Sequence, residues 1–121
     1  MRTIPILLAT ASLTALSACS SNDTADAVAT ITVESTADAC ELSQTDAPSG
    51  TIVFSVRNSG SEVTEFYLYD ADDGVVGEVE NIGPDLTRDL TVEVEPGTYT
   101  TACKPGMVGD GIRAPFTVTD G

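Results

Sequence analysis

From Ala29 onward the apolar residues recur at every second position, and no window of helical length repeats them at i, i+3 and i+4. The stretch "ATITVES" puts Ile31 and Val33 on one face, and "TIVFSVRN" does the same with Ile52, Phe54 and Val56. The second stretch lies between "APSG" and "NSGSE", both rich in turn formers. "VTEFYLY" runs into the acidic turn "DADDG", where Gly74 can supply a positive φ. "VVGEVENI" is a weaker strand, and Gly77 inside it marks a bulge or an edge. "DLTVEVEPGTYTTAC" reads as Leu90, Val92 and Val94 facing inward, a Pro96-Gly97 turn, and then Tyr99, Thr101 and Cys103 sharing a face. "APFTVTD" supplies a last strand with Phe116 and Val118. Short strands at regular spacing, separated by turns, predict an all-β fold: an antiparallel Greek-key β-sandwich of about seven strands.

The first residues follow a different pattern. Arg2 precedes an apolar run from Ile4 to Leu16, and "LSAC" ends it in small residues and Cys19. That run is too short to span a bilayer and has the form of a lipoprotein export signal. The expected organisation is a signal peptide at 1–18, a flexible acidic tether at 19–29 and one folded domain at 30–121. Cys19 is the expected lipidation site. The protein is then exported and held on the cell membrane by its lipid, facing the periplasm or the extracellular side.

Charge narrows the range of partners. With 5 Lys and Arg against 19 Asp and Glu, the chain carries a formal charge of −14. Removal of the leader would take away Arg2 and no acidic residue. Nucleic acid is excluded as a partner, because phosphate binding needs a basic face. Three cysteines become two once Cys19 is assigned to lipid, and in an oxidising compartment Cys40 and Cys103 are free to pair with each other.

The run from "ITVESTADACEL" through "GTIVFSVRNSGSEVTEFYLY" and "VVGEVENIGP" to "LTVEVEPGTYTTACKPGMVGDGIRAPFTV" resembles the N-terminal cupredoxin-like domain of EfeO-type iron-uptake proteins. The segments "GEVENIGP" and "ACKPGMVGDGIRAPF" are its most distinctive parts. In that family a large helical, imelysin-like domain follows the module, and these 121 residues do not contain one. The resemblance therefore carries over only to the module. It implies a cupredoxin-like sandwich that binds iron or copper in metal uptake.

Cupredoxins place a ligand histidine just after a "VxNxxxxx" stretch and a ligand cysteine after "GxYxxxC". Here "VRNSGSEVTE" puts Glu65 at the first position and "GTYTTAC" puts Cys103 at the second. The chain has no histidine at all, so it cannot assemble the two imidazoles of a blue-copper centre. The metal ligands implied instead are Cys103, Glu65, Cys40 and Met107, with Glu78, Glu80 or Asp110 nearby. They mix soft sulfur suited to copper(I) with hard carboxylate suited to iron.

Structural readings stand beside these. Cys40 and Cys103 form a disulfide as an alternative to two metal thiolates, and Met107 caps the core. Glu65, next to Phe66 and Leu68, is turned outward to solvent by strict alternation. Tyr99 is a corner or core residue. "KPGMVGDG" follows a strand without opening a helix, so it is no phosphate cradle, and "DADDG" lacks the spacing of a calcium loop.

With no histidine base and no serine at a nucleophile elbow, the chain is not expected to be an enzyme. An accessory ferroxidase would need an open coordination position, and only the family context suggests one. The expected function is that of an envelope lipoprotein binding iron or copper, with no organic cofactor, for metal uptake or homeostasis. The alternative is a metal-free, disulfide-stapled sandwich that serves as an interaction module, for example for a separate transport-system protein.

Overall fold

The structure is a computed structural model and describes residues 26–121. The leader, Cys19 and most of the tether therefore lie outside the described residues. Among the described residues, nine strands follow one another: β1 (Ala29–Ser35), β2 (Cys40–Leu42), β3 (Asp46–Pro48), β4 (Gly50–Asn58), β5 (Thr64–Tyr69), β6 (Val75–Ile82), β7 (Thr87–Val94), β8 (Gly97–Cys103) and β9 (Ile112–Thr119). They form a four-stranded sheet in the order β2-β1-β4-β7 and a five-stranded sheet in the order β3-β9-β8-β5-β6.

Two expectations need correction. The expected seven strands become nine, because β2 and β3 have three residues each, too few to show a period. The sheets are mixed rather than antiparallel: β1 pairs β4 in parallel, and β3 pairs β9 in parallel. The segment between β1 and β4 crosses from one sheet to the other, so β4 returns beside β1 in the same direction. The strands of alternating pattern lie where alternation put them.

The inner faces meet in one core. Ile31, Val33, Ile52, Phe54, Val56, Leu90, Val92 and Val94 come from the first sheet, and Phe66, Leu68, Ile82, Phe116 and Val118 from the second. All three phenylalanines are in it. The Phe54 ring lies 5.2 Å from Phe66 and 5.5 Å, edge-on, from Phe116, an arrangement that adds to simple area burial.

Gly77 sits where β6 passes closest to the other sheet. A Cβ there would lie 2.6 Å from Cγ1 of Val92, so glycine is required for the approach. In the 70–74 turn the left-handed residue is Asp73 (φ 60) rather than Gly74. Gly74 is needed because its Cβ would meet the Asp70 carboxylate at 2.7 Å. That carboxylate instead accepts the amides of Asp72 and Gly74.

Four connections gather at one pole: residues 36–39, 59–63, 83–86 and 104–111. Asn58, 1% exposed, ties the 59–63 connection to the end of β6. Its Nδ2 donates to the carbonyls of Glu62 (2.7 Å) and Ile82 (2.8 Å), and its Oδ1 accepts the Gly60 amide (2.9 Å). The Ser59 amide donates to the Ser35 carbonyl, and the Gly106 amide to the Val63 carbonyl. The backbone groups these loops would leave unpaired on burial are in this way satisfied.

Candidate functional site

Register fixes which face each candidate residue occupies. Cys103 is directly opposite Phe66 and faces inward with it, fully buried. Cys40 is opposite the fully buried Ser35 and also faces inward. The two cysteines form a disulfide with Cα atoms 5.6 Å apart. This bridge joins the short edge strand β2 of one sheet to β8 in the middle of the other. Beside it, Ser35 Oγ and Thr64 Oγ1 share a buried hydrogen bond of 2.9 Å. No buried side-chain nitrogen or oxygen among the described residues lacks a partner. The interior of the loop pole is thus closed by covalent and hydrogen bonds, and neither sulfur is available as a thiolate.

Glu65 belongs to the opposite face of the five-stranded sheet. On β6, Val79 pairs with Phe66 and Ile82 with Thr64, so Glu80 and Asn81 together face Glu65. This is a bulge, and Asn81 takes the left-handed conformation it needs (φ 56). Alternation turns Glu65 outward, yet it is only 8% exposed. The outer face of this sheet is covered by long side chains. The Tyr67 and Tyr69 rings stack at 5.5 Å, Lys104 Nζ lies 4.1 Å from the centre of Tyr67, and the Arg113 guanidinium lies 4.7 Å from the centre of Tyr69. Such contacts hold the cations flat against the sheet. Arg113 also pairs with Asp73 at 2.8 Å.

Among the described residues, the Glu65 carboxylate has neither a hydrogen-bond donor nor an ion-pair partner. Burial raises its pKa above the ordinary glutamate value; Lys104 pulls it back, and Glu80 and Glu78 push it up further. The Tyr67 hydroxyl lies between the same two carboxylates, 3.4 Å from Oε1 of Glu80. Its pKa is raised, chiefly by hydrogen bonding to Glu78.

Met107 belongs to neither group. It closes a short 3-10 turn, Pro105–Met107, and is 39% exposed. It does not cap the core. The structure therefore brings Cys40 and Cys103 together and separates both from Glu65 by the thickness of a sheet. Among the described residues, no three Asp, Glu, Cys or His side chains are grouped closely enough to hold a metal ion. Tyr99 donates its hydroxyl to the Glu95 carbonyl four residues earlier (2.7 Å), as a strand-corner tyrosine does.

Sequence reasoning missed Asn58 as the organiser of the pole and Lys104 as the cover over Tyr67. The "VRN" motif that located Glu65 also contained Asn58. Two surface hollows, of about 450 and 560 Å³, are beside β7 at the far pole, and Glu93 lines both.

Comparison with solved structures agrees with this architecture. The chain is similar to dithionite-reduced auracyanin from Roseiflexus castenholzii, with TM-score 0.60 and 15% identity over 77% of this chain and 98% of that one. It is similar to auracyanin A, a "blue" copper protein of Chloroflexus aurantiacus, with TM-score 0.53 and 12% identity over 74% of this chain and 99% of that one. It also aligns with a multi-copper oxidase from Pediococcus acidilactici, with TM-score 0.52 and 15% identity over 98% of this chain and 31% of that one. Likenesses at this identity establish the fold. Among proteins of curated function, none matches the chain.

The donor set does not fit a blue-copper ion. The chain supplies no imidazole, and the cysteine on β8 is bonded to a second sulfur. The sequence profile described as a cupredoxin-like domain matches residues 7–118, and with the two packed sheets this places the chain in the cupredoxin-like domain family.

Proposed function

We propose that this is an exported, lipid-anchored module of a metal-uptake or metal-homeostasis system in a bacterial envelope, and that it acts by docking to a partner component rather than by carrying its own metal. The resemblance to EfeO-type proteins supports the iron-uptake context, and the "LSAC" signal supports the lipid anchor at Cys19. One observation carries the choice of docking over metal carriage: the Cys40–Cys103 disulfide closes the interior of the pole in a chain that has no histidine. The module is not an enzyme in this reading.

Thiol counting tests it. The mature protein, purified without reductant and unfolded, should show no free thiols and no stoichiometric iron or copper. Two free thiols that become protected when copper or iron is added would overturn the reading.

A second reading rests on Glu65. Its carboxylate has no hydrogen-bond or ion-pair partner among the described residues, and Glu78 and Glu80 are near enough to raise its pKa. Carboxylates are hard donors suited to iron, so side-chain movement that drew the three together would give an iron ion its oxygens. Titration with ferric iron and with copper, on the native chain and on Glu65→Gln, distinguishes the two. Iron binding lost in Glu65→Gln supports a metal role for this face, and binding unchanged in the variant removes it.

A further inference from the structure

The loop pole presents an unusual surface to solvent. Six large hydrophobic residues are exposed among the described residues, and Val63, Leu86, Met107 and Val108 are four of them. All four are on the connections of this pole, whereas Val28 and Val75 are at the other. The fold holds two of the four in place. Gly106 (φ 76) and Met107 (φ 54) are both left-handed, a conformation that a methionine rarely adopts. The turn is pinned by the Gly106 amide on the Val63 carbonyl and the Met107 amide on the Lys104 carbonyl. As a result, Met107 is displayed rather than buried, next to the 72% exposed Val108.

Beside these residues is a recess of about 190 Å³ lined by Thr36, Ala37, Asn58, Gly60, Glu62 and Pro105, with Ser61 at its edge. It is smaller than the roughly 300 Å³ at which small-molecule pockets begin. At about 30 Å³ per water it has room for one side chain. Its only charged residue is Glu62, whose Oε2 lies 2.9 Å from the point where a Cβ on Gly106 would project. No basic residue lines it. All four cations among the described residues are in or close to the connections of this pole, and each is engaged away from the recess: Arg57 leans toward Asp85 at 3.8 Å, Arg88 donates to the Glu80 carbonyl, Lys104 lies over Tyr67, and Arg113 pairs with Asp73.

We infer that this pole docks a basic, amphipathic segment of a partner protein. Its apolar side chains lie against Val63, Met107 and Val108, and one lysine or arginine enters the recess beside Glu62. The inference deepens the docking reading above and rests on it. Charge complementarity at the recess selects a basic residue in the partner, since Glu62 is its only charged lining residue and has no ion-pair partner among the described residues. The exposed apolar residues then select this pole over the rest of the acidic surface. Asp26, the first described residue, is near Thr51 and Glu93, at the pole opposite these loops.

The test is chemical-shift mapping on the oxidised protein with a helical Lys/Leu peptide of about 20 residues, together with Lys/Ser and Glu/Leu peptides of equal length. The expected result is shifts confined to residues 36–39, 58–63 and 104–111 with the Lys/Leu peptide. Val108→Asp should weaken binding about tenfold, and Glu62→Gln about threefold with a shallower salt dependence. Glu93→Gln, at the far pole, should leave the affinity unchanged.

Shifts spread over the whole acidic surface or centred on Tyr67 and Tyr69, equal binding of the Lys/Ser peptide, or no effect of Val108→Asp would each overturn the inference. All three positions are on the surface, and retained spectral dispersion checks the fold. Thiol and metal analysis of the same sample separates the two levels. Free thiols with bound metal would sink the docking reading while the map stands. A map away from the pole would sink this inference and leave that reading intact.

Discussion

Strands β5 and β8 carry neighbouring residues onto two faces with opposite electrostatic character. Inward, Thr64 and Cys103 belong to an interior in which, among the described residues, every buried side-chain nitrogen and oxygen has a partner and the sulfurs are bonded to each other. Outward, Glu65 on β5 and Lys104 just past the end of β8 belong to a covered face. There the Glu65 carboxylate has no hydrogen-bond partner and its oxygens still reach solvent, and a lysine is held over an aromatic ring. The inner face is where a cupredoxin's metal thiolate would be, and here it is chemically finished. The outer face keeps an unbalanced charge. In this chain, then, the fold alone does not locate the chemistry. Which face each donor takes, and whether it is already satisfied, decides what it can do.

The sharpest way to break the comparison is to open the interior. The Cys40–Cys103 bridge spans a sequence separation of 63 residues. Replacing both cysteines with alanine should lower stability by about 4 kcal/mol in the chain-entropy account, a large part of a small domain's total. Thermal unfolding should show a melting temperature lower by on the order of 20 °C. Dithiothreitol should produce a similar drop in the native chain and none in the double variant. A variant as stable as the native chain would show that the bridge is incidental to the interior.

Asn58 comes next. Its side chain makes three hydrogen bonds to backbone groups of the pole. Asn58→Ala should cost about 3 kcal/mol, at about 1 kcal/mol per bond. Hydrogen exchange should speed up at the Gly60 amide and in the 59–63 loop before it does so in β1 or β4. A loss confined to a few tenths of a kcal/mol would mean that water replaces the amide without penalty.

Much of the fold was legible because several long strands bury one face only. Ile31, Val92 and Phe116 alternate with exposed neighbours, and a period of two survives wherever one side faces solvent. The strands β2 and β3 were not legible, since three residues carry no period. Parallel pairing of β1 with β4 was also out of reach, because it depends on where a crossover lands rather than on either strand's composition.

The candidate site was legible in its residue types and not in its grouping. Glu65 and Cys103 could be placed at matching motif positions, but a residue's face depends on register, and the β6 bulge at Glu80–Asn81 is set by pairing between strands. Even the correct outward turn of Glu65 gave the wrong exposure, because its cover comes from Lys104 and Tyr67.

The smallest expected effect is also the most specific to the outer face. A glutamate whose folded pKa lies above its unfolded value binds its proton more tightly in the native state. Its contribution to stability is therefore fully present below the unfolded pKa and is lost as pH rises through the folded one. At neutral pH the native chain bears the burden of a desolvated charge, and Glu65→Gln, which keeps the shape and removes the charge, should relieve it. The variant should be more stable than the native chain at pH 7, by no more than about 0.5 kcal/mol because solvent reaches the carboxylate and screens it. The difference should vanish as pH falls below the ordinary glutamate range, where both side chains are neutral. Chemical denaturation at several pH values measures this directly. A variant less stable than the native chain at pH 7 would mean that Lys104 outweighs burial and that the outer face is as balanced as the inner one.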